Sequence, residues 1–88
     1  MIARELTIVN KLGLHARAAG ALVKLASTFR SEITVEKGGT KVNAKSIMGL
    51  LMLAASMGSI IRITAHGEDE KEAAAAVEGL VQRKFDEE

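Results

Sequence analysis

Apolar positions recur along this chain in two alternating periods. Over residues 4–9, Leu6 and Ile8 fall at every second position, which predicts a strand with one buried face. From Ala16 the step changes to three and four: Ala18, Ala19, Leu22, Val23, Ala26 and Phe29 share a stripe, while Arg17, Lys24, Ser27 and Arg30 lie elsewhere on the wheel. That spacing predicts an amphipathic helix of about 14 residues. Alternation returns over 32–37, with Ile33 and Val35 inward and Glu32, Thr34 and Glu36 outward. Gly38-Gly39 signals a hairpin, since both residues accept positive φ freely, and the returning strand over 40–44 turns Val42 and Ala44 inward. Ser46 can cap a short helix that carries Leu50 and Leu53 towards the core, and Gly58 closes this region. A fourth strand over 60–66 places Ile61, Ile63 and Ala65 on one face and Arg62, Thr64 and His66 on the other. A last helix opens at Gly67-Glu68-Asp69-Glu70. Asp69 is its expected N-cap, Glu70 and Glu72 complement the helix dipole, and Ala73, Ala74, Val77, Leu80, Val81 and Phe85 form its stripe. Arg83 and Lys84 are expected at its C-terminal end.

The order β-α-β-β-α-β-α predicts an α+β fold: a four-stranded antiparallel sheet covered on one face by three helices. The outward charges of Glu32, Glu36, Lys41 and Arg62 imply that the other face meets water. At 88 residues the chain is expected to be one domain, 1–88. Cysteine is absent, which excludes disulfides, thiolate metal sites and cysteine nucleophiles. Phe29 and Phe85 are the only aromatics, too few for a base-stacking platform, and no nucleic-acid partner is expected. The longest uncharged run, 46–61, is shorter than the roughly 20 apolar residues a membrane span needs. The chain therefore reads as soluble and cytoplasmic, with no membrane insertion. Charge is unevenly placed: residues 1–45 carry eight Lys/Arg against three Asp/Glu, and residues 46–88 carry four against eight. A basic face that meets an anion or an acidic partner fits this pattern, as does an accident of composition.

Candidate chemistry centres on Gly13-Leu14-His15-Ala16-Arg17-Ala18-Ala19. A helix start exposes backbone N–H groups without intrahelical partners, and these donors with the dipole make an anion site. Gly13 allows close approach of the loop, and Arg17 adds a planar cation suited to phosphate oxygens. His15 could thus accept a phosphoryl group on a ring nitrogen, with the dipole favouring the neutral imidazole. Spacing alone leaves a second reading open, in which His15 merely caps the helix and Arg17 is a surface charge. His66 reads as a solvated strand residue, so no metal site is expected. The run Ser46-Ile47-Met48-Gly49-Leu50-Leu51-Met52-Leu53 is too apolar for one short helix to bury. An exposed docking patch of adaptable side chains follows. A more fully buried helix or a self-association surface would also account for it.

The segment Gly13-Leu14-His15-Ala16-Arg17-x-Ala19 resembles the active-site signature of the HPr family, histidine-containing phosphocarriers of the bacterial sugar phosphotransferase system. Ser31-Glu32-Ile33-Thr34-Val35, Val42-Asn43-Ala44-Lys45-Ser46-Ile47-Met48-Gly49 and Gly67-Glu68-Asp69-Glu70 are similar to other HPr segments, so the resemblance spans the chain. It implies an open-faced β-sandwich and a carrier with no cofactor and no turnover of its own. Enzyme I would phosphorylate His15 on Nδ1, and the phosphoryl group would pass to enzyme IIA domains. Arg17, with the backbone of Ala16 and Arg17, would hold the phosphate. Leu14, Gly20, Lys24, Ile47, Met48, Gly49, Leu51 and Met52 would form the partner-docking surface of a monomer. Ser46 matches the serine that an HPr kinase/phosphorylase modifies in many bacteria. Two departures stand out: Ala18 replaces a frequent proline, and Leu12 replaces a frequent Asn or Ser. Asn10-Lys11-Leu12-Gly13, Leu51-Met52-Leu53 and Phe85-Asp86-Glu87 resemble NPr, the carrier of the nitrogen-related regulatory branch. Readings of another class are a pure interaction module that never carries phosphate, and an anion- or RNA-binding domain resting on Arg17, Lys24 and Lys45.

Overall fold

Each period-two segment forms a strand in the computed structural model, which describes residues 1–87; residue 88, the last of the expected domain 1–88, lies outside the described residues. β1 (Ile2–Thr7) pairs with β4 (Ile60–His66), β4 with β2 (Glu32–Lys37), and β2 with β3 (Thr40–Asn43). All pairings are antiparallel, in the order β1-β4-β2-β3. The register sets Leu6 opposite Ile61, Ile33 opposite Ala65, and Val35 opposite both Ile63 and Val42. These side chains line one face beneath the helices. The other face carries the row Glu5–Arg62–Glu36–Lys41, whose alternating charges suit cross-strand neighbours in water.

Three helices cover the apolar face: α1 (Ala16–Ala26), α2 (Ile47–Met52) and α3 (Glu70–Gln82). Leu22 of α1, Leu50 of α2 and Val77 and Val81 of α3 are fully buried against Ile8, Ile33, Ile61 and Ile63. This is the α+β arrangement expected from the sequence. No helix of the described residues is long and apolar enough to cross a membrane.

Five expectations are revised, the smallest being β3, which ends at Asn43 rather than at residue 44. β1 spans Ile2–Thr7 rather than 4–9, although Ile8 still donates to Ser59 O at 2.9 Å and accepts from Gly58 N at 2.8 Å. α1 has 11 residues, not about 14. The chain tightens after it, with Thr28 N donating to Leu25 O and Phe29 N to Ala26 O, both at 3.1 Å. Asp69 occupies the N-cap position of α3 but makes no side-chain cap. Its carboxylate instead accepts from Arg30 N and Ser31 N, both at 2.9 Å, and from Ser31 Oγ at 2.5 Å. It therefore clasps the turn between α1 and β2. The Ser31 hydroxyl, followed by the Arg30 amide, pulls the Asp69 carboxyl down to about 2. Finally, α3 ends at Gln82, so Arg83 and Lys84 fall outside it. Arg83 pairs with Asp86 at 2.9 Å, and Lys84–Asp86 form a short turn that buries Phe85.

Candidate functional site

The loop before α1 is pinned to the segment after α2. Gly13 adopts φ +67°, and a Cβ there would come within 2.8 Å of Ser56 Cα. Gly13 N donates to Asn10 O at 3.2 Å, and Leu14 N donates to Ala55 O at 2.8 Å. Only glycine permits both the left-handed backbone and this approach. His15 follows in extended conformation, φ −81° and ψ −178°, and its carbonyl accepts the first helical bond, from Ala19 N at 2.8 Å. The N–H groups of Ala16, Arg17 and Ala18 therefore have no intrahelical acceptor.

The His15 side chain makes no cap bond, so the helix-capping reading does not hold. Its ring is 29% exposed and stands between two shallow depressions of about 300 Å³ each. One is lined by Lys11, Leu12, Arg17 and Glu87, three of which carry charged groups. The other is apolar, lined by Leu12, Leu14, Leu51, Ala54, Ala55 and Ser56. An anion approaching His15 from the first would meet the exposed Arg17, and a partner surface could seat on the second.

The sequence reading missed Glu87. Its carboxylate lies 2.7 Å (Oε2) and 3.1 Å (Oε1) from His15 Nε2, and Asn10 Nδ2 donates to Oε1 at 2.6 Å. The hydrogen bond from His15 holds the Glu87 carboxyl below its ordinary value. Partial desolvation opposes this, while the Asn10 amide and the charges of His15 and Arg17 reinforce it. Nothing local in the sequence marks a residue 72 positions away as a ring partner.

Around α2, Ser46 is the N-cap and its Oγ accepts from Gly49 N at 3.1 Å. Leu50 is buried, while Ile47, Met48, Leu51 and Met52 are exposed, Met48 and Met52 to 72% and 75%. A fully buried helix is therefore excluded. Gly49 faces inward, where a Cβ would lie 3.1 Å from Val42 Cβ. Lys24 is exposed on α1 and Gly20 half-buried, with open space beside it. Leu14 is mostly a core residue, 4% exposed, and reaches a partner only through the lining of the second depression. Lys45 donates to Phe29 O at 2.9 Å and ties down a loop, so Arg17, Lys24 and Lys45 do not form one free basic set. His66 is exposed on the open sheet face, opposite Glu32.

Residues 2–83 match the family model described as PTS HPr component phosphorylation site. The chain is 51% identical over 87 residues to phosphocarrier protein HPr of Xylella fastidiosa, covering 99% of this chain and 98% of that protein. It is 51% identical over 84 residues to phosphocarrier protein NPr of Shewanella violacea, covering 96% and 92% respectively. The crystal structure of HPr-C-His from Thermoanaerobacter tengcongensis superposes with a TM-score of 0.96 at 49% identity, over 100% of this chain and 99% of that one.

Proposed function

The chain belongs to the HPr family of phosphotransferase-system phosphocarriers, and we propose that His15 is its phosphoryl acceptor. The Nδ1 lone pair attacks phosphorus on phospho-enzyme I. The new P–N bond forms as the donor's bond to phosphorus breaks, and that electron pair stays with the donor. The phosphoryl group then passes to an enzyme IIA domain by the reverse sequence, which returns the lone pair to Nδ1. The observation that carries this reading is the placement of His15: extended backbone, ring partly exposed, directly ahead of the unbonded N–H groups of Ala16 and Arg17. Those donors and the Arg17 guanidinium offset the phosphoryl charge. The partners supply catalysis; no cofactor is needed.

Docking falls to the exposed side chains beside the ring: Ile47, Met48, Leu51 and Met52, flanked by Gly20, Lys24 and the backbone at Gly49. The carrier works as a cytoplasmic monomer. Ser46 is a regulatory site for an HPr kinase/phosphorylase. A phosphate on its Oγ would stand at the start of α2 beside Ile47 and Met48 and repel an acidic partner. Exposed Leu12 and the likeness to NPr support a second reading, in which the nitrogen-branch enzyme I is the physiological donor.

Intact-mass measurement after incubation with phosphoenolpyruvate, magnesium and each enzyme I tests both readings. One acid-labile phosphate is expected, and none in His15→Ala. The enzyme that loads the protein faster identifies the branch. Absence of phosphate with either enzyme would leave the interaction-module reading in its place. Incubation with the kinase and ATP should add an acid-stable phosphate, absent in Ser46→Ala.

A further inference from the structure

Glu87 has no place in the chemistry described so far, yet the structure holds its carboxylate firmly. Its side chain is only 8% exposed and faces His15 Nε2 at 2.7 Å. Asn10 is fully buried, and its Nδ2 donates both to Gly13 O at 2.8 Å and to Glu87 Oε1 at 2.6 Å. Neither acceptor can donate, so the orientation of the amide is forced. Its Oδ1 is left buried without a hydrogen-bond partner among the described residues, a costly arrangement that follows from aiming both N–H groups at these acceptors. An ionised carboxylate only accepts hydrogen bonds. The ring nitrogen that faces it must therefore carry a proton.

We propose that Glu87 is a positioning residue, which holds the neutral His15 ring as its Nε2–H tautomer and leaves the lone pair on Nδ1. The inference rests on the carrier reading in one respect only, that Nδ1 is the atom that takes phosphorus. The Glu87 carboxyl, held below its ordinary value first by this same hydrogen bond, fits an acceptor that is ionised. The same contact serves onward transfer. With phosphorus on Nδ1, the Nε2–H still donates to Glu87, and a ring protonated at Nε2 is the better leaving group when the P–N bond breaks.

The geometry makes an asymmetric demand on substitutions. In Glu87→Gln, the Asn10 donor selects the amide oxygen at the Oε1 position. The amide NH2 then occupies the Oε2 position, 2.7 Å from Nε2, where a donor would face a donor. The oxygen at the Oε1 position lies farther from Nε2, at 3.1 Å, and already accepts from Asn10, so the closer contact favours a ring that sheds its Nε2 proton and takes one on Nδ1, which blocks the nucleophile. In Glu87→Ala the ring is simply released. The near-isosteric variant is therefore expected to be the more damaging.

The test is 15N NMR of the His15 ring at about pH 9, above the ordinary imidazole range, in the full-length wild type, Glu87→Gln and Glu87→Ala. Phosphate uptake from phospho-enzyme I is followed in parallel. The expected result is Nε2–H in the wild type, Nδ1–H in Glu87→Gln and a mixture in Glu87→Ala. Uptake by Glu87→Gln should be about tenfold slower than wild type, the factor that one hydrogen bond's worth of tautomer preference brings, and slower than by Glu87→Ala. A wild-type tautomer retained in Glu87→Gln would overturn the proposal, even with uptake slowed. If the tautomers shift as stated but the wild type takes no phosphate, Glu87 still positions the ring and the carrier reading fails. If the wild type takes phosphate and all three tautomers coincide, the carrier reading stands and this one falls.

Discussion

Two Gly→Ala substitutions, seven residues apart, should move stability in opposite directions. At Gly13 the backbone sits at φ +67°, and the added Cβ would approach Ser56 Cα to 2.8 Å and overlap Ala55 O. The left-handed conformation alone costs alanine about 1–2 kcal/mol. Backbone atoms cannot rotate away, so relief requires loop 10–15 to lift from residues 55 and 56. That breaks the Leu14 N to Ala55 O bond of 2.8 Å, a net loss of about 1 kcal/mol. The sum is about 2–3 kcal/mol. For 88 residues, total stability is about 4–13 kcal/mol, so the loss is a large share of it. Gly20 is the control. It lies inside α1 with nothing within 4 Å of its added Cβ, and alanine there should stabilise by about 0.5–1 kcal/mol. Urea unfolding followed by circular dichroism separates the two. With a denaturant slope of about 1 kcal/mol/M for so small a domain, Gly13→Ala should lower the midpoint by about 2–3 M and Gly20→Ala should raise it. Equal shifts, or a Gly13→Ala midpoint within about 0.5 M of wild type, would refute the packing argument.

The other predictions concern the core, the clasp and the docking face. Leu50→Ala removes the one fully buried side chain of α2 and should cost about 2–5 kcal/mol in chemical unfolding; a cost under about 1 kcal/mol would mean that the helix is not seated on the core as described. Asp69 has its carboxyl lowered from 3.8 to about 2, so the stability it contributes is fully present above pH 4 and drains away as pH falls through that interval. Acid unfolding of Asp69→Asn should therefore depend less on pH between these values than wild type, and an identical profile would remove the clasp from the account. Met48→Asp, on a side chain 72% exposed, should leave the unfolding free energy unchanged within about 0.5 kcal/mol, yet slow phosphate uptake from phospho-enzyme I by about tenfold. Unchanged uptake would move the docking surface elsewhere.

Where side-chain period and backbone geometry agree, the elements could be read closely. β4 and the hairpin between β2 and β3 follow strict alternation, and α2 follows from a capping serine with Leu50 inward. Where they disagree, the reading slipped. Arg4 shares a face with Ile2, Leu6 and Ile8, but β1 is an edge strand and Arg4 reaches past the core to Glu78 of α3, at 3.6 Å. A charge at an inward edge position hides the alternation, and the start of the strand with it. At the end of α1, Phe29 keeps helical spacing although the helix stops at Ala26, because the following turn also brings residues three apart onto one side. Asp69 has the composition of an N-cap, but it found two amides and a hydroxyl across the chain, which satisfy it better than its own helix.

The site divides along the same line. Gly13, His15 and Arg17 were legible because the features that matter to them are local: a left-handed glycine, a helix start and a cation one residue beyond it. The Glu87 contact depends on the backbone of Lys84, Phe85 and Asp86, with φ of 59, 57 and 58°. None of the three is a glycine, and only Asp86 is a residue that tolerates this conformation, so nothing in the sequence advertises a run of three. What anchors it is tertiary, the burial of Phe85 in the core, while the local pair of Arg83 and Asp86 at 2.9 Å steadies the turn. The aromatic that closes the stripe of α3 therefore does two things. It completes the core, and it fixes where the chain two residues later must lie, so that a carboxylate meets the ring of a histidine from the opposite end of the sequence. Sequence periodicity exposed the first role. The second exists only once the sheet has brought the ends of α1 and α3 together, which is why the partner of His15 had to be found in the structure.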